Sequence, residues 1–473
     1  MKHAEDVRGA RISVVGAARS GLGVAFLLKA KGADVFVSDH QAPEKLAPSI
    51  SQLQAWGIRH ETGGHSARVF DCALMVISPG VPSSAEVIRE ALKRGLRVVS
   101  ELEVASWFCP ARVIAVTGSN GKTTTTTLIG RMLGDARRPH VVAGNIGTAF
   151  SSVVSSLHAD DIVVLEVSSF QLDYSEAFRP WISMILNITE DHMDRYDHSM
   201  EQYAASKARV FMNQMTDDIL IYSVDDPWTQ RTVQRHAACR TLGFSTHDRL
   251  SEGAFLEDGV LTTVIGTHRT QLVGTREISL KGQHNLYNAM AAALAAQLAG
   301  VSAASVRATL KNFKGVEHRL ELVRELEGVR YINDSKATNV DSVWYALQAF
   351  DEPIILLLGG RDKGNDYRRL VDPVKRSVRH LVAIGESASI VVAAFRGVTE
   401  ISTATSMEEA VRIAHSVSRP GEIVLLSPAC ASFDWFENYE HRGRVFKELV
   451  LALPSKDHRQ RNSMHGNEQT QPY

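Results

Sequence analysis

Thr117-Gly118-Ser119-Asn120-Gly121-Lys122-Thr123-Thr124 lies between an apolar run, Val113-Ile114-Ala115-Val116, and a helical pattern over 125–133. Strand, glycine turn, lysine, hydroxyl and helix, in that order, make a phosphate cradle. Gly118 and Gly121 let backbone N–H groups turn toward an anion, and the helix N-terminus adds positive potential. Lys122 can reach β- and γ-phosphates, and Thr123 can ligate Mg²⁺. The loop departs from the general P-loop pattern: that pattern has four residues between its glycines, and here only Ser119 and Asn120 intervene. The flanking strand and helix favour phosphate binding over an ordinary turn.

Outward from this loop the chain reads as three blocks. Residues 1–105 open with a strand at 11–15, the turn Gly16-Ala17-Ala18-Arg19-Ser20-Gly21, a helical run to Lys31 and a second strand ending at Asp39. An acid about 20 residues past a glycine turn belongs to dinucleotide-binding βαβ units, but Ala18 replaces the middle glycine. Residues 106–316 carry the phosphate loop, further strands and an alanine-rich helix at 285–298. Residues 317–452 alternate strands and helices again. Such alternation predicts an α/β fold with mostly parallel sheets. The polar stretch 453–473 lacks apolar periodicity and is expected to be a disordered tail.

Composition narrows the class. The 473 residues are 44% hydrophobic and 22% charged with a net charge of −1, so no bulk basic field points to nucleic acid or an anionic membrane. The four cysteines form no CxxC pair, which argues against zinc and a disulfide framework and fits a reducing cytoplasm. No apolar run approaches the ~20 residues that span a bilayer.

Polar groups gather after apolar strands. Glu166 ends one, where a Mg²⁺ ligand is expected beside a phosphate loop. Asn187-Ile188-Thr189-Glu190-Asp191-His192-Met193-Asp194-Arg195-Tyr196 follows another. Lys207, in a helical run over 201–211, reads on its own as a surface lysine. Asn285 and Asn288 read by default as helix caps. Arg319 could clamp a phosphate. The clusters 333–339, 359–364 and 427–434 each follow a strand, the usual place for a ligand.

These stretches together resemble the Mur ligases, ATP-dependent amide ligases of peptidoglycan precursor synthesis, over about residues 10–450. Gly118 to Thr124, Gly144-Asn145-Ile146-Gly147 and 190–196 are similar to the family broadly. Residues 333–339, 427–434 and Glu440-His441-Arg442-Gly443 resemble its D-glutamate-adding branch. The resemblance implies three domains: an N-terminal Rossmann-like domain for UDP (1–105), a central P-loop ATPase-type domain (106–316) and a C-terminal Rossmann-like domain for the amino acid (317–452). It implies ATP, UDP-N-acetylmuramoyl-L-alanine and D-glutamate as substrates, an acyl-phosphate intermediate, two Mg²⁺ sites, and a cytoplasmic monomer.

By the same resemblance, Lys122, His192 and Lys207 are catalytic. Gly118, Ser119, Asn120, Gly121, Lys122, Thr123, Thr124, Asn285, Asn288, Arg319, Asp334 and Lys336 serve ATP. Thr123, Glu166, His192 and Lys207 hold metal, with Lys207 carbamylated by CO₂ into an anionic ligand. Ser20, Asp39 and Gly80 match UDP contacts, Asn145 and Gln171 muramoyl contacts, and Thr338, Lys363, Ser427 and Phe433 the D-glutamate pocket. Arg19, His40 and Gln41 depart from the familiar UDP pattern.

Three other readings are weaker. A folylpolyglutamate synthase would lack the 333–339 signature. A P-loop kinase or GTPase shares only the phosphate loop, and no N-K-x-D is present. A nicotinamide oxidoreductase rests on the defective glycine turn alone.

Overall fold

The computed structural model describes residues 4–362 and 364–454. Lys363 and nearly all of the polar stretch 453–473 lie outside the described residues. The chain forms two compact units that divide between Lys314 and Gly315. Among the described residues its strands build three sheets.

The first unit opens with β1 (Arg11–Val15), β2 (Asp34–Ser38), β3 (Arg59–Glu61), β4 (Leu74–Ile77) and β5 (Val98–Ser100). Their order is β3-β2-β1-β4-β5, and every pairing is parallel. Strand order reverses between β1 and β4, which opens a crevice at the carboxyl ends of those two strands.

The second sheet contains β6 (Arg112–Thr117), β7 (His140–Gly144), β8 (Ile162–Glu166), β9 (Ile182–Ile185), β10 (Ile219–Ser223), β11 (Arg240–Ser245), β12 (Gly253–Glu257), β13 (Val260–Ile265) and β14 (His268–Gly274). The order is β14-β13-β12-β11-β10-β9-β6-β8-β7. Pairing is parallel from β7 through β12 and antiparallel in the meander β12-β13-β14. The parallel strands are apolar and buried on both faces, as helices cover each side. β6 sits between β8 and β9, so the phosphate loop emerges at the centre, flanked by Glu166 and Asn187.

The second unit holds β15 (Glu321–Leu326), β16 (Val329–Asn333), β17 (Ile354–Gly359), β18 (Val378–Ile384), β19 (Glu400–Thr403) and β20 (Ile423–Leu426), in the order β15-β16-β20-β17-β18-β19. Only β15 runs antiparallel. β16, β20 and β17 are adjacent and parallel, so the polar clusters 333–339, 427–434 and 359–362 leave the sheet along one edge.

The mostly parallel α/β reading holds, with element ends shifted by one to three residues. The meander at β12–β14 was not anticipated. Its β12–β13 turn is Asp258-Gly259 with φ +49° and +73°, the left-handed pair that a two-residue hairpin turn requires.

Two acids join the first two sheets. Glu103 is fully buried on helix Glu101–Trp107. Its carboxylate accepts from the amides of Glu176, Ala177 and Phe178 at 2.9–3.0 Å and from Trp107 Nε1 at 2.9 Å. Glu101, also fully buried, accepts from Ser151 N at 2.7 Å. A buried carboxylate is tolerated when donors surround it, and removing it strands those donors. Glu103→Ala is therefore expected to lower unfolding free energy by about 3 kcal/mol, measured by urea denaturation of the full chain. A loss well under 1 kcal/mol would refute the role.

Candidate active site

The phosphate loop is held from three sides. Helix Lys122–Asp135 starts three residues earlier than its apolar pattern suggested, so Lys122, Thr123 and Thr124 form its first turn. Its N-cap is Gly121 in the left-handed region, φ +87°, with no side-chain cap among the described residues. The first amides of a helix lack intrahelical partners, so this end presents N–H groups and dipole to an anion. Gly121 also has no room for a side chain, because a Cβ there would collide with Asn288 Oδ1.

The amides of Ser119 and Asn120, expected to face the anion, are already used. Ser119 N donates to Asn187 O at 3.0 Å and Asn120 N to Asn187 Oδ1 at 2.8 Å. Asn187 Nδ2 returns a bond to Asn120 O at 3.1 Å. The Ser119 hydroxyl reaches Thr189 O at 2.8 Å. The helix turn that begins at Lys122 presents its N-terminal amides and dipole beside them.

Lys122 Nζ donates to Gly118 O at 2.8 Å and Ser119 O at 2.9 Å. Lys207 Nζ donates to the same Gly118 O at 2.9 Å and lies 4.4 Å over the Tyr203 ring. Lys207 is 1% exposed, so the surface reading of that residue is wrong. Helix Met200–Ala208 buries its Tyr203, Ala204, Ser206, Lys207 and Ala208 face.

On the other side of the loop Thr123 Oγ1 donates to Glu166 Oε2 at 2.7 Å, and Asn145 Nδ2 to Glu166 Oε1 at 2.9 Å. A carboxylate and a hydroxyl are hard oxygen donors, the set that Mg²⁺ prefers. His192 has φ +54° and sits edge-on to Phe170 with ring centroids 4.8 Å apart. Its Nε2 is 3.6 Å from Asp191 Oδ2. Gln171 is buried, and its Oε1 accepts from Ser168 N and Oγ in a capping box.

The Asn285 and Asn288 cap reading also fails. Both are buried inside helix Gln283–Leu298, whose N-cap is Gly282. Asn285 Nδ2 donates to Lys281 O at 2.8 Å, and Asn288 Oδ1 accepts from Thr125 Oγ1 at 3.2 Å. The pair ties this helix to the phosphate-loop helix.

At the N-terminal crevice Asp39 is 5% exposed and gives one oxygen to Ala17 N, 2.7 Å, and the other to Gln41 N, 2.8 Å. It shapes the glycine turn. Ser20 is partly buried, and Gly80 is exposed in open space.

In the second unit Asp334 and Ser427 meet: Ser427 Oγ donates to Asp334 Oδ2 at 2.8 Å. Leu320 N donates to Asp334 Oδ1 at 3.3 Å. Arg319 lies near enough for its charge to act on Asp334. Lys336 rests 4.0 Å over the Tyr439 ring. Thr338 is partly buried, and Phe433 is 60% exposed. Glu317, His318 and Glu321 cluster as a metal site would. However, Lys447 bridges both acids and Asn333 Nδ2 lies 2.8 Å from His318 Nδ1, so the group is internally satisfied.

Residues 116–296 match the Mur ligase middle domain, 318–430 the Mur ligase glutamate ligase domain, and 10–100 the MurD-like N-terminal domain. The chain belongs to the Mur ligase family. Among its relatives, the UDP-N-acetylmuramoylalanine--D-glutamate ligases of Salinibacter ruber and Chloroherpeton thalassium are each 45% identical over 95% of this chain and 99% of theirs. The corresponding enzyme of Acidobacterium capsulatum is 44% identical over 94% of this chain and 97% of its own. Solved structures share the fold. MurF from Acinetobacter baumannii aligns at TM-score 0.61 and 18% identity over 93% of both chains. UDP-N-acetylmuramate-alanine ligase MurC from Thermotoga maritima aligns at TM-score 0.58 and 19% identity over 94% of this chain and 99% of that one.

Two of the displaced titrations in this Mur ligase bear on the site. Burial, then the charge of Lys122, holds Lys207 well below the usual lysine range. Burial pushes Asp334 up to about 7, against the opposing pull of Arg319 and Ser427.

Asn187 is the residue that the sequence reading passed over. Its position just after β9, beside the phosphate loop in a β9-β6-β8 order, is the signal for its role. Asn187→Ala removes both side-chain bonds to the Asn120 backbone and keeps the carbonyl that holds Ser119 N; it is expected to weaken ADP binding roughly tenfold by loosening Asn120, as read by calorimetry, and unchanged affinity would refute it.

For Asp334 the sign follows from linkage. Its native carboxyl keeps a proton that the unfolded chain releases near pH 4. The contribution of this group is therefore fully present below about pH 4 and lost as pH rises through about 7. Thermal melts should show wild type losing ground to Asp334→Asn between about pH 4 and pH 7. A pH-independent difference would refute the displacement.

Proposed function

We propose that this Mur ligase joins D-glutamate to UDP-N-acetylmuramoyl-L-alanine, consuming ATP and releasing ADP and phosphate, as a step in peptidoglycan precursor synthesis. The observation that carries the reading is near-full-length similarity, 41–45% identity, to relatives that bear this activity in their names, together with an intact phosphate loop. Residues 1–105, 106–316 and 317–452 are assigned to UDP, ATP and amino acid respectively.

A carboxylate is a poor electrophile, so its oxygen must first become a leaving group. The substrate carboxylate attacks the γ-phosphate of ATP to give an acyl phosphate. The amine of D-glutamate then adds to that carbonyl and expels phosphate through a tetrahedral intermediate. Two anions have to meet in the first step, and positive charge must offset their repulsion. The N-terminus of helix Lys122–Asp135 and the Lys122 ammonium supply it from the protein. Mg²⁺ held by Thr123 and Glu166, with a second ion near His192 and Lys207, would add neutralising charge on the phosphate oxygens.

Lys207 suits carbamylation for a stated reason. Only a neutral amine adds CO₂, and burial beside Lys122 favours the neutral form. The product is an anion next to a cationic lysine and a metal site.

Asn288 and Asn285 brace the nucleotide side of the central sheet. Arg319, Asp334 and Lys336 are assigned to ATP, and Thr338, Lys363, Ser427 and Phe433 to D-glutamate. Ser20, Asp39 and Gly80 line the UDP crevice, and Asn145 and Gln171 face the muramoyl part. Among the described residues no helix is long and apolar enough to cross a membrane. A cytoplasmic monomer is the simplest form for this reaction.

The test is phosphate release with ATP, Mg²⁺ and UDP-N-acetylmuramoyl-L-alanine across D-Glu, L-Glu, L-Ala, meso-diaminopimelate and L-Lys. Release is expected with D-Glu alone. Release with a different amino acid would move the specificity, and none with any would overturn the ligase reading. Carbon NMR with ¹³C-bicarbonate in the same samples should show a carbamate signal that Lys207→Met lacks.

A further inference from the structure

Arg195 stands between two loops that the proposed reaction uses at once. It lies three residues after His192, in the loop that follows β9. Its guanidinium donates from Nη2 to Val81 O at 3.1 Å and from Nη1 toward Pro79 O at 3.4 Å. Those carbonyls belong to the loop after β4, one wall of the crevice where strand order reverses in the N-terminal sheet. Arg195 therefore grips the proposed UDP loop from the central sheet.

The same guanidinium lies 3.7 Å over the Phe170 ring. Phe170 in turn carries the His192 ring on its edge at 4.8 Å and stacks on Tyr196 at 6.3 Å. Tyr196 OH donates to Asp173 Oδ2 at 3.0 Å and lies 3.3 Å from Ser206 Oγ, one residue before Lys207. One planar cation thus touches the UDP loop by hydrogen bonds and the His192 ring through a single intervening aromatic.

The backbone around it is strained. His192, Asp197 and His198 all have positive φ, +54°, +50° and +55°. Non-glycine residues hold that conformation only when their surroundings over-determine it. Such a loop has alternatives close in energy, and contacts that reach it from a ligand loop can select among them. Arg195 provides the contact from outside the central sheet. Its partial burial, which lowers its pKa, removes the solvent that would otherwise weaken the link.

We propose that Arg195 is a positioning residue that couples occupancy of the UDP crevice to the placement of His192 beside the phosphate loop. Substrate seated against 78–81 orders the two carbonyls. The carbonyls hold the guanidinium flat on Phe170, and Phe170 fixes the His192 ring. By reciprocity, nucleotide at the phosphate loop tightens the UDP substrate by the same factor. The inference rests on the function proposed above, since it takes the crevice to hold UDP. Lysine should not substitute, because a single ammonium cannot donate to two carbonyls and stack as a plane.

The test is calorimetric. The affinity of a non-hydrolysable ATP analogue is measured with and without saturating UDP-N-acetylmuramoyl-L-alanine, for wild type, Arg195→Gln and Arg195→Lys. Wild type is expected to show at least about fivefold tightening. Both variants should bind each ligand alone within about threefold of wild type while the tightening falls to near unity. A merely structural role would weaken each ligand alone and leave the ratio intact, and that result overturns the proposal. So does wild type that binds both ligands independently, although the ligase reading then survives. Failure of wild type to bind the UDP substrate overturns both. If Arg195→Gln does not fold, Arg195→Lys, which keeps the charge over Phe170, decides the matter. As a second readout, the His192 ring resonances should shift when UDP is added to wild type and stay in place in Arg195→Lys.

Discussion

A buried lysine, Lys207, and a half-buried one, Lys122, converge on one carbonyl oxygen, and much of the central domain exists to make that tolerable. Lys122 and Lys207 both donate to Gly118 O. Two ammonium groups so close repel each other, and in a low-dielectric interior the repulsion is strong. Burial pulls Lys207 toward its neutral form, and the charges of Asp191 and Asp173 act on it in the opposite sense. A site with that balance has spare positive potential for a triphosphate and one amine whose charge state can be changed. The phosphate loop, the carboxylate at the end of β8 and the helix carrying Lys207 have to be placed together for this to work.

Rigidity around that point comes from side chains that bond backbone. The Asn187 side chain holds both the amide and the carbonyl of Asn120, while its own backbone carbonyl accepts from Ser119 N. Asn288 reaches Thr125 and closes the space beside Gly121. Glu103 collects three consecutive amides where the first two sheets join. Each of these is a short polar group buried with its partners, which costs little only when every hydrogen bond is made. In the second unit Arg442 does the same. Almost completely buried, it donates to Ser335 Oγ and O and to Cys430 O, and so ties together two of the loops assigned to nucleotide and amino acid.

Backbone strain gathers in the loop after β9, as it does at His318 and Leu320 in the second unit. The left-handed residues at 192, 197 and 198 sit on the segment that carries His192 and Arg195. Elsewhere positive φ falls mainly on glycines in turns, where it costs little. A non-glycine cluster here stores conformational energy beside the chemistry, held by Phe170, Tyr196 and the carbonyls after β4.

What the sequence by itself determined is the part governed by local rules. Apolar runs bounded by glycine turns placed most of the parallel strands to within a residue or two, though not β3, β11, β12 or β19, because strand periodicity and glycine's access to positive φ depend on neighbours in the chain. The order strand, Gly118, Lys122, Thr123, helix identified the phosphate loop for the same reason. Asp258-Gly259 was an equally local hairpin signal that went unread. Tertiary structure alone decided which polar residues are buried and what they hold. Lys207 looked like a surface lysine, Asn285 and Asn288 looked like caps, and Glu103 carried no signal at all, since its partners lie more than seventy residues away. Burial and charge state are set by what packs from remote parts of the chain, and no short window of sequence contains that information.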